Sequence, residues 1–176
     1  MVNVPRSLNR PTSRGWARDA LMGAIAGAAG VWFMDRVGWF LYRREDPAAL
    51  QREQAARVEG KDPAHVVAGK AAGALGIALT PPQPHPAGIA VHYALGVLPG
   101  AIYGPLRHRV SGLGAGRGLL YGLSLFLLND ELLNPLLGLA SGPTAYPWQA
   151  HARGLVAHLV LGASTDAALD ALDRIG

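Results

Sequence analysis

The chain has 176 residues, a length that suits one domain, and 50% of its residues are apolar while only 16% are charged. Together with a mean hydropathy of +0.18, this balance is unusual for a soluble domain and typical of a membrane protein. The absence of cysteine excludes disulfides, iron–sulfur clusters and thiol nucleophiles, so any metal site must use histidine and carboxylate. The net charge of +4 comes from arginines beside apolar segments, which favours the lipid bilayer as partner and not nucleic acid.

The N-terminal region predicts a polar arm followed by a first membrane crossing. Residues 1–18 contain four arginines among prolines, and we expect them to form a flexible basic arm beside the lipid headgroups. The apolar stretch over residues 20–42 is long enough for one crossing. A cleaved signal peptide is the alternative interpretation. The aromatic residues near the end of the stretch, Trp39, Phe40 and Tyr42, favour a retained helix.

Residues 43–86 form the connecting segment, the one region that the sequence marks as amphipathic and exposed to water. Asp46 and Asp62 each precede a proline, which is the N-cap and first-turn signal of a helix. The second of these helices, over residues 63–79, is mostly apolar. We expect it to lie in the membrane interface, with a re-entrant segment or a short fifth crossing as alternatives, because its length is at the lower limit for a crossing.

Three further apolar stretches, over residues 87–106, 118–139 and 154–172, predict the remaining crossings. The expected fold is therefore an all-α polytopic membrane helical bundle of about four transmembrane helices, formed by residues 19–176 as a single membrane domain. Small residues recur at every fourth position, a spacing that lets helix backbones approach closely in lipid, within the chain or against another subunit or a second copy. The glycines expected to pack in this way are Gly23, Gly27, Gly96, Gly100, Gly104, Gly118, Gly122 and Gly162.

Two histidines lie inside these apolar stretches, each on a stripe of small residues. His92 is near the start of its helix, Glu131 near the end of the next, and His158 near the start of the last. Because consecutive crossings are antiparallel, we expect all three to lie toward one membrane face. Asp35 joins them only if the chain crosses the membrane four times and not five. Further candidates for this proton or polar site are Asp130, Tyr103 and Asp166.

These groups admit several interpretations. A divalent metal could be bound by His92, His158 and Glu131, imidazole and carboxylate could exchange protons near neutral pH, or haem b could lie between the two histidines. Alternatively, the histidines form hydrogen bonds that hold together the helices of an accessory or assembly subunit. Enzyme classes are disfavoured, because the sequence has no serine nucleophile elbow and no phosphate-binding loop.

A set of motifs in the second half of the chain carries a family resemblance. They are His92-Tyr93, Tyr103-Gly104, Gly118, Gly122, Asn134-Pro-Leu-Leu-Gly-Leu139, Pro143, Tyr146-Pro-Trp148 and His158. Over residues 87–165 the chain resembles the YagU-like family of bacterial inner-membrane proteins. The resemblance implies a multi-pass protein of the inner (plasma) membrane, linked loosely to acid tolerance, with no established reaction. We therefore expect a non-catalytic accessory or assembly protein with a buried His/Glu site associated with protons or ions; the alternative is a metal- or haem-binding membrane protein that uses His92 and His158.

Overall fold

The computed structural model describes residues 15–79 and 84–175, and no strand occurs among them. The predicted all-helical architecture is thereby confirmed for these residues. The expected basic arm falls almost wholly on residues 1–14, outside the described residues, and its last three positions already belong to the first helix. The helices are α1 (Trp16–Tyr42), α2 (Pro47–Ala56), α3 (Pro63–Ala74), α4 (Pro86–Leu106), α5 (Leu119–Leu125), α6 (Asn134–Leu136) and α7 (Trp148–Ile175); a π-helical segment (Phe126–Leu133) joins α5 to α6.

Side-chain caps start the helices that follow α1. The Asp46 carboxylate accepts the backbone N–H of Ala48 at 3.0 Å, and the Asp62 carboxylate accepts that of His65 at 3.1 Å. Each of these aspartates is followed by proline, whose missing N–H costs nothing in a first helical turn. The helix predicted over 63–79 is shorter than expected: α3 ends at Ala74, before Gly76 adopts a left-handed conformation with φ of 72°.

Three helices, α1, α4 and α7, are long and apolar enough to cross a membrane by length and composition. The stretch over residues 118–139, which was also predicted to cross, is not one of these three helices, because its helix changes type. There α5, the π-helical segment and α6 follow one another without a break from Leu119 to Leu136. At helical rise this run measures about 25 Å, close to the thickness of a hydrocarbon core.

The long helices form an up-and-down bundle with two distinct ends. Helix α1 packs against both α4 and α7, α5 packs against α7, and α3 packs against α4. The Tyr103 ring of α4 stacks on the Tyr121 ring of α5 with centroids 4.3 Å apart, which closes the fourth side. The end that holds the start of α4, with His92, is termed the histidine end. The end that holds the C-terminus of α4, with Arg107, is termed the arginine end; α1 begins and α7 ends there.

Backbone-to-backbone contacts between glycines hold the long helices together. A Cβ atom built on Gly23 would lie 2.1 Å from the carbonyl oxygen of Gly100, and one built on Gly27 would lie 2.6 Å from that of Gly96. On the other side of the bundle, a Cβ on Gly122 of α5 would lie 2.1 Å from the carbonyl oxygen of His158 on α7. All eight glycines singled out from the sequence lie at such interhelical contacts, so the helices approach more closely than any side chain would allow.

Replacing Gly23 with alanine is expected to destabilise the protein by about 1–3 kcal/mol, because the new methyl group meets the rigid backbone of α4. The matched control is Gly73→Ala, at a helical position of α3 where a Cβ has open space; alanine there is expected to be neutral or stabilising by up to about 1 kcal/mol. Equilibrium unfolding in detergent micelles measures both. Equal stability of Gly23→Ala and wild type would contradict the close α1–α4 contact.

Candidate functional site

A cavity of about 580 Å³ lies at the histidine end of the bundle. Its walls come from the last turns of α1, the first turns of α4 and α7, and the π-helical segment. The stretch of chain from Glu53 to His65 lines it as well. The cavity therefore collects polar side chains from elements that are far apart in sequence.

Two histidines at this cavity are each paired with a carboxylate from a different helix. Nε2 of His92 on α4 lies 2.7 Å from Oδ1 of Asp35 on α1. Nδ1 of His151 on α7 lies 2.6 Å from Oε1 of Glu131 on the π-helical segment. In each pair a proton can lie in the hydrogen bond between the ring nitrogen and the carboxylate oxygen, and imidazole is the group whose charge changes near neutral pH. All four side chains line the cavity.

A third, looser pair is formed by His158 of α7 and Asp130 of the π-helical segment. Nδ1 of His158 is 3.6 Å from Oδ2 of Asp130, and the same nitrogen is 2.9 Å from the carbonyl oxygen of Gly154. Because a carbonyl can only accept, His158 donates its Nδ1 proton to the α7 backbone, and the Asp130 carboxylate lies beside the ring. Asp130 lies close enough to interact electrostatically with His92 and His151 as well. Its carboxylate therefore lies near all three histidines.

The polar site expected from the sequence is divided between the two ends of the bundle. His92, Glu131, Asp130 and His158 lie together at the histidine end, as described above. Tyr103 lies about 16 Å further along α4, at eleven residues from His92. Its hydroxyl group donates to Asp166 on α7 at 2.7 Å.

Asp166 belongs to a separate ion cluster at the arginine end. The Arg107 guanidinium lies 2.8 Å from Asp166, 2.7 Å from Asp170 and 2.9 Å from Asp173. With its side chain only 6% exposed, Arg107 is enclosed by these acids. Because arginine keeps its charge at all ordinary pH values, this cluster holds a fixed cation and does not extend the set of histidine pairs.

The predicted metal set of His92, His158 and Glu131 does not converge on one point. His92 and Glu131 are each hydrogen-bonded to a different partner, and His158 faces Asp130. In residues 15–79 and 84–175 no group of three or more histidine or carboxylate side chains is arranged to hold a metal ion. The antiparallel arrangement brought these residues to one end, but not to one coordination sphere.

His151 was not among the residues singled out from the sequence. The predicted last helix begins at residue 154, whereas α7 begins at Trp148. This earlier start places His151 in the helix and, at two turns from His158, on the same face. The spacing of seven residues between the two histidines was the signal in the sequence, and it becomes informative only once the helix start is known.

Arg153 ties the connecting segment to α7. Its guanidinium contacts both Glu45 and Glu53 and lies 5.1 Å from the centroid of the Tyr42 ring. Burial raises the pKa of Glu53, but the hydrogen bonds from Arg57 and Arg153 outweigh burial and hold that pKa below its ordinary value. Glu53 therefore stays ionised, and the ion pairs keep the segment beside the cavity.

No protein-family model, curated protein or solved structure matches this chain. The resemblance to the YagU-like family therefore rests on the sequence motifs, and the function has to be argued from the geometry of the cavity and its His–carboxylate pairs.

Replacing Arg153 with glutamine is expected to release the connecting segment, because Glu45 and Glu53 lose the cation that compensates their burial. Breaking a buried ion pair in this way costs about 3–5 kcal/mol. Limited proteolysis with an enzyme that cleaves after glutamate should cut the connecting segment markedly faster in the variant. Arg52→Gln is the matched control, since Arg52 is exposed on α2 and adjacent to Glu53 in sequence. Equal cleavage rates for the two variants would contradict the role of Arg153.

Proposed function

We propose that the chain is a polytopic membrane protein that binds and exchanges protons at the cavity of the histidine end, in a non-catalytic accessory or assembly role. The observation that carries the proposal is that paired imidazole and carboxylate groups from α1, α4, α7 and the π-helical segment meet at one cavity. Imidazole changes charge between pH 5 and 8, and ionisable groups inside a membrane bundle mark ion or proton sites.

The distribution of side chains supports the membrane assignment. Large apolar residues cover the outside of the long helices: Leu98 and Ile102 of α4 are each more than 60% exposed. The interior, by contrast, is built from glycine contacts and polar groups such as Asp166 and His158. This inverse pattern suits a protein whose solvent is hydrocarbon. Exposed tryptophans occur at both ends of the bundle, as at membrane interfaces: Trp16, Trp39 and Trp148.

We also propose four crossings, with the run from Leu119 to Leu136 as the third. The contact between Asp35 and His92 supports this count, because a crossing at α3 would place these two residues at opposite faces. With four crossings, Trp16 and Ile175 lie on the same side. On the strength of the YagU-like resemblance, we assign the protein to the bacterial inner membrane, where its glycine stripes also suit contacts with other membrane subunits.

Proton binding is favoured over metal or haem because the ring nitrogens are already matched with separate acceptors. Nε2 of His92 is engaged by Asp35, and Nδ1 of His158 by the α7 backbone. A metal or haem iron would have to displace these partners, whereas a proton uses the same hydrogen bonds. One-to-one pairing is what proton exchange requires, and it differs from the convergence of three or more ligands that holds a metal.

Histidine titration in nanodiscs tests the proton site. With ¹⁵N-labelled histidine, His92 and His151 are expected to titrate as a coupled pair, because Asp130 interacts with both. Glu131→Gln should therefore alter the titration of His92 as well as that of its own partner His151. The control, Asp173→Asn, removes a carboxylate at the arginine end and should leave the titration of His92 and His151 unchanged. Histidines that hold one protonation state from pH 4.5 to 8.5, or that titrate independently, would contradict the proposal and favour a purely structural role.

Labelling of single cysteines tests the number of crossings, and the chain has no cysteine of its own to interfere. Gly114→Cys and Gly142→Cys place a thiol in open space on either side of the Leu119–Leu136 run. Four crossings predict that a membrane-impermeant maleimide reaches these two thiols from opposite sides. Glu59→Cys, in the connecting segment, should react from the same side as Gly142→Cys. Labelling of Gly114→Cys and Gly142→Cys from one side would exclude the third crossing.

A further inference from the structure

His65 of α3 forms one wall of the cavity and packs directly on α4. Its side chain is 8% exposed, and a Cβ built on Gly88 of α4 would lie 2.2 Å from the imidazole Cδ2. The ring therefore fills the space that a side chain at position 88 would take. Gly88 lies one turn before His92 on the same face of α4. His65 thus occupies the gap between α3 and the first turn of α4, next to the His92 pair.

The hydrogen bonds of His65 fix which ring nitrogen carries the proton. Nε2 lies 3.0 Å from the backbone nitrogen of His85. A backbone N–H can only donate, so Nε2 must be the unprotonated acceptor, and the ring proton resides on Nδ1. Nδ1 lies 2.7 Å from Oδ2 of Asp62, but it is not aligned to donate a hydrogen bond to that oxygen. The closed contact between α3 and α4 therefore requires neutral His65.

The charges around His65 determine where an added proton goes. Burial raises the pKa of Asp62, but its hydrogen bonds with His65 hold that pKa below the ordinary value, so Asp62 stays ionised near neutral pH. The unprotonated Nε2 is therefore the position on the ring that an added proton can take. The other titratable or charged groups that line this side of the cavity or precede α4 are Lys61, Arg57, His85, His92 and Asp35.

We propose that His65 is a proton-operated latch between α3 and α4 that controls access to the cavity. One proton from solvent binds Nε2, the ring nitrogen that carries no proton in the closed state. Nε2 then becomes a donor that faces the donor N–H of His85, and the hydrogen bond between α3 and the start of α4 is lost. The two N–H groups find acceptors only if α3 moves away and water enters, so acidification opens the cavity on this side. Loss of the proton restores the acceptor and closes it.

The latch deepens the proposed function and rests on it in one respect: the cavity is taken as the site where protons are exchanged. Opening on the α3 side would bring water to His92 and Asp35 under the acidic conditions in which protons are abundant. The latch itself uses none of the three His–carboxylate pairs. Its behaviour can therefore be measured separately from theirs.

The distance between nitroxide labels on α3 and α4 tests the latch in nanodiscs. Gly73→Cys offers open space on α3, and Leu98→Cys is exposed on α4. The distance between the labels at positions 73 and 98 is expected to be longer at pH 5 than at pH 8. Adding His65→Gln should hold the pH 8 distance at both values, because the glutamine amide oxygen accepts from the His85 N–H without titrating. The matched control, His85→Asn, keeps that backbone N–H and a side-chain cap on α4, and it should respond to pH as wild type does.

An unchanged distance at pH 5 in wild type would overturn the latch, and so would an equal pH response in His65→Gln. The ¹⁵N signals of His65 provide a second measurement: Nε2 should be bare at pH 8 and protonated at pH 5. A His92→Gln, His151→Gln background separates the two proposals. The latch should still operate there, whereas coupled titration of the pairs should be lost. Coupled titration without any movement of α3 would support the proposed proton site and contradict the latch.

Discussion

The close approach of glycine-lined backbones is the constraint on which the rest of the structure depends. Helix α1 contacts α4 and α7 at distances that leave no room for a Cβ, as at Gly23 against Gly100. In the membrane that we propose as the environment of this protein, no hydrophobic force joins helices, and such contacts would supply van der Waals attraction in its place. They also bring polar side chains to fixed positions. Gly96, Gly100 and Gly104 of α4 lie at the close contact with α1. One turn before Gly96 the same face of α4 carries His92, which lines the cavity and contacts Asp35 of α1.

The bundle separates its ionisable groups into two ends with different chemistry. At the arginine end one guanidinium is enclosed by three aspartates, and its charge does not change with pH. At the histidine end Asp35 and Glu131 each face an imidazole, a group whose charge changes near neutral pH. The first arrangement suits a permanent fastening of α4 to α7. The second suits a site that responds to protons, and the proposed function and the latch both follow from that difference.

Two contacts control how the histidine end is covered. Arg153 holds the connecting segment to α7 through Glu45 and Glu53, a tie between full charges. His65 holds α3 to α4 through a neutral ring nitrogen. Hydrogen bonds from Arg57 and Arg153 hold the pKa of Glu53 below its ordinary value, which preserves the first contact on acidification, whereas a proton on Nε2 of His65 would remove the acceptor on which the second contact depends. The contact of the connecting segment with α7 is therefore fixed, whereas the contact of α3 with α4 is sensitive to pH.

Much of this architecture was predictable from the sequence, because it depends on local patterns. Apolar stretches and their lengths indicated the long helices, proline after aspartate indicated the starts of α2 and α3, and the alternation of antiparallel helices indicated that His92, Glu131 and His158 share one end. The tertiary structure alone decided the partner of each histidine, the π-helical form of Phe126–Leu133 and the early start of α7. It also decided the placement of His65 over Gly88. A periodic pattern specifies which face of a helix is buried, but hydrogen-bond partners depend on the distance and rotation between helices remote in sequence, and those are set by packing.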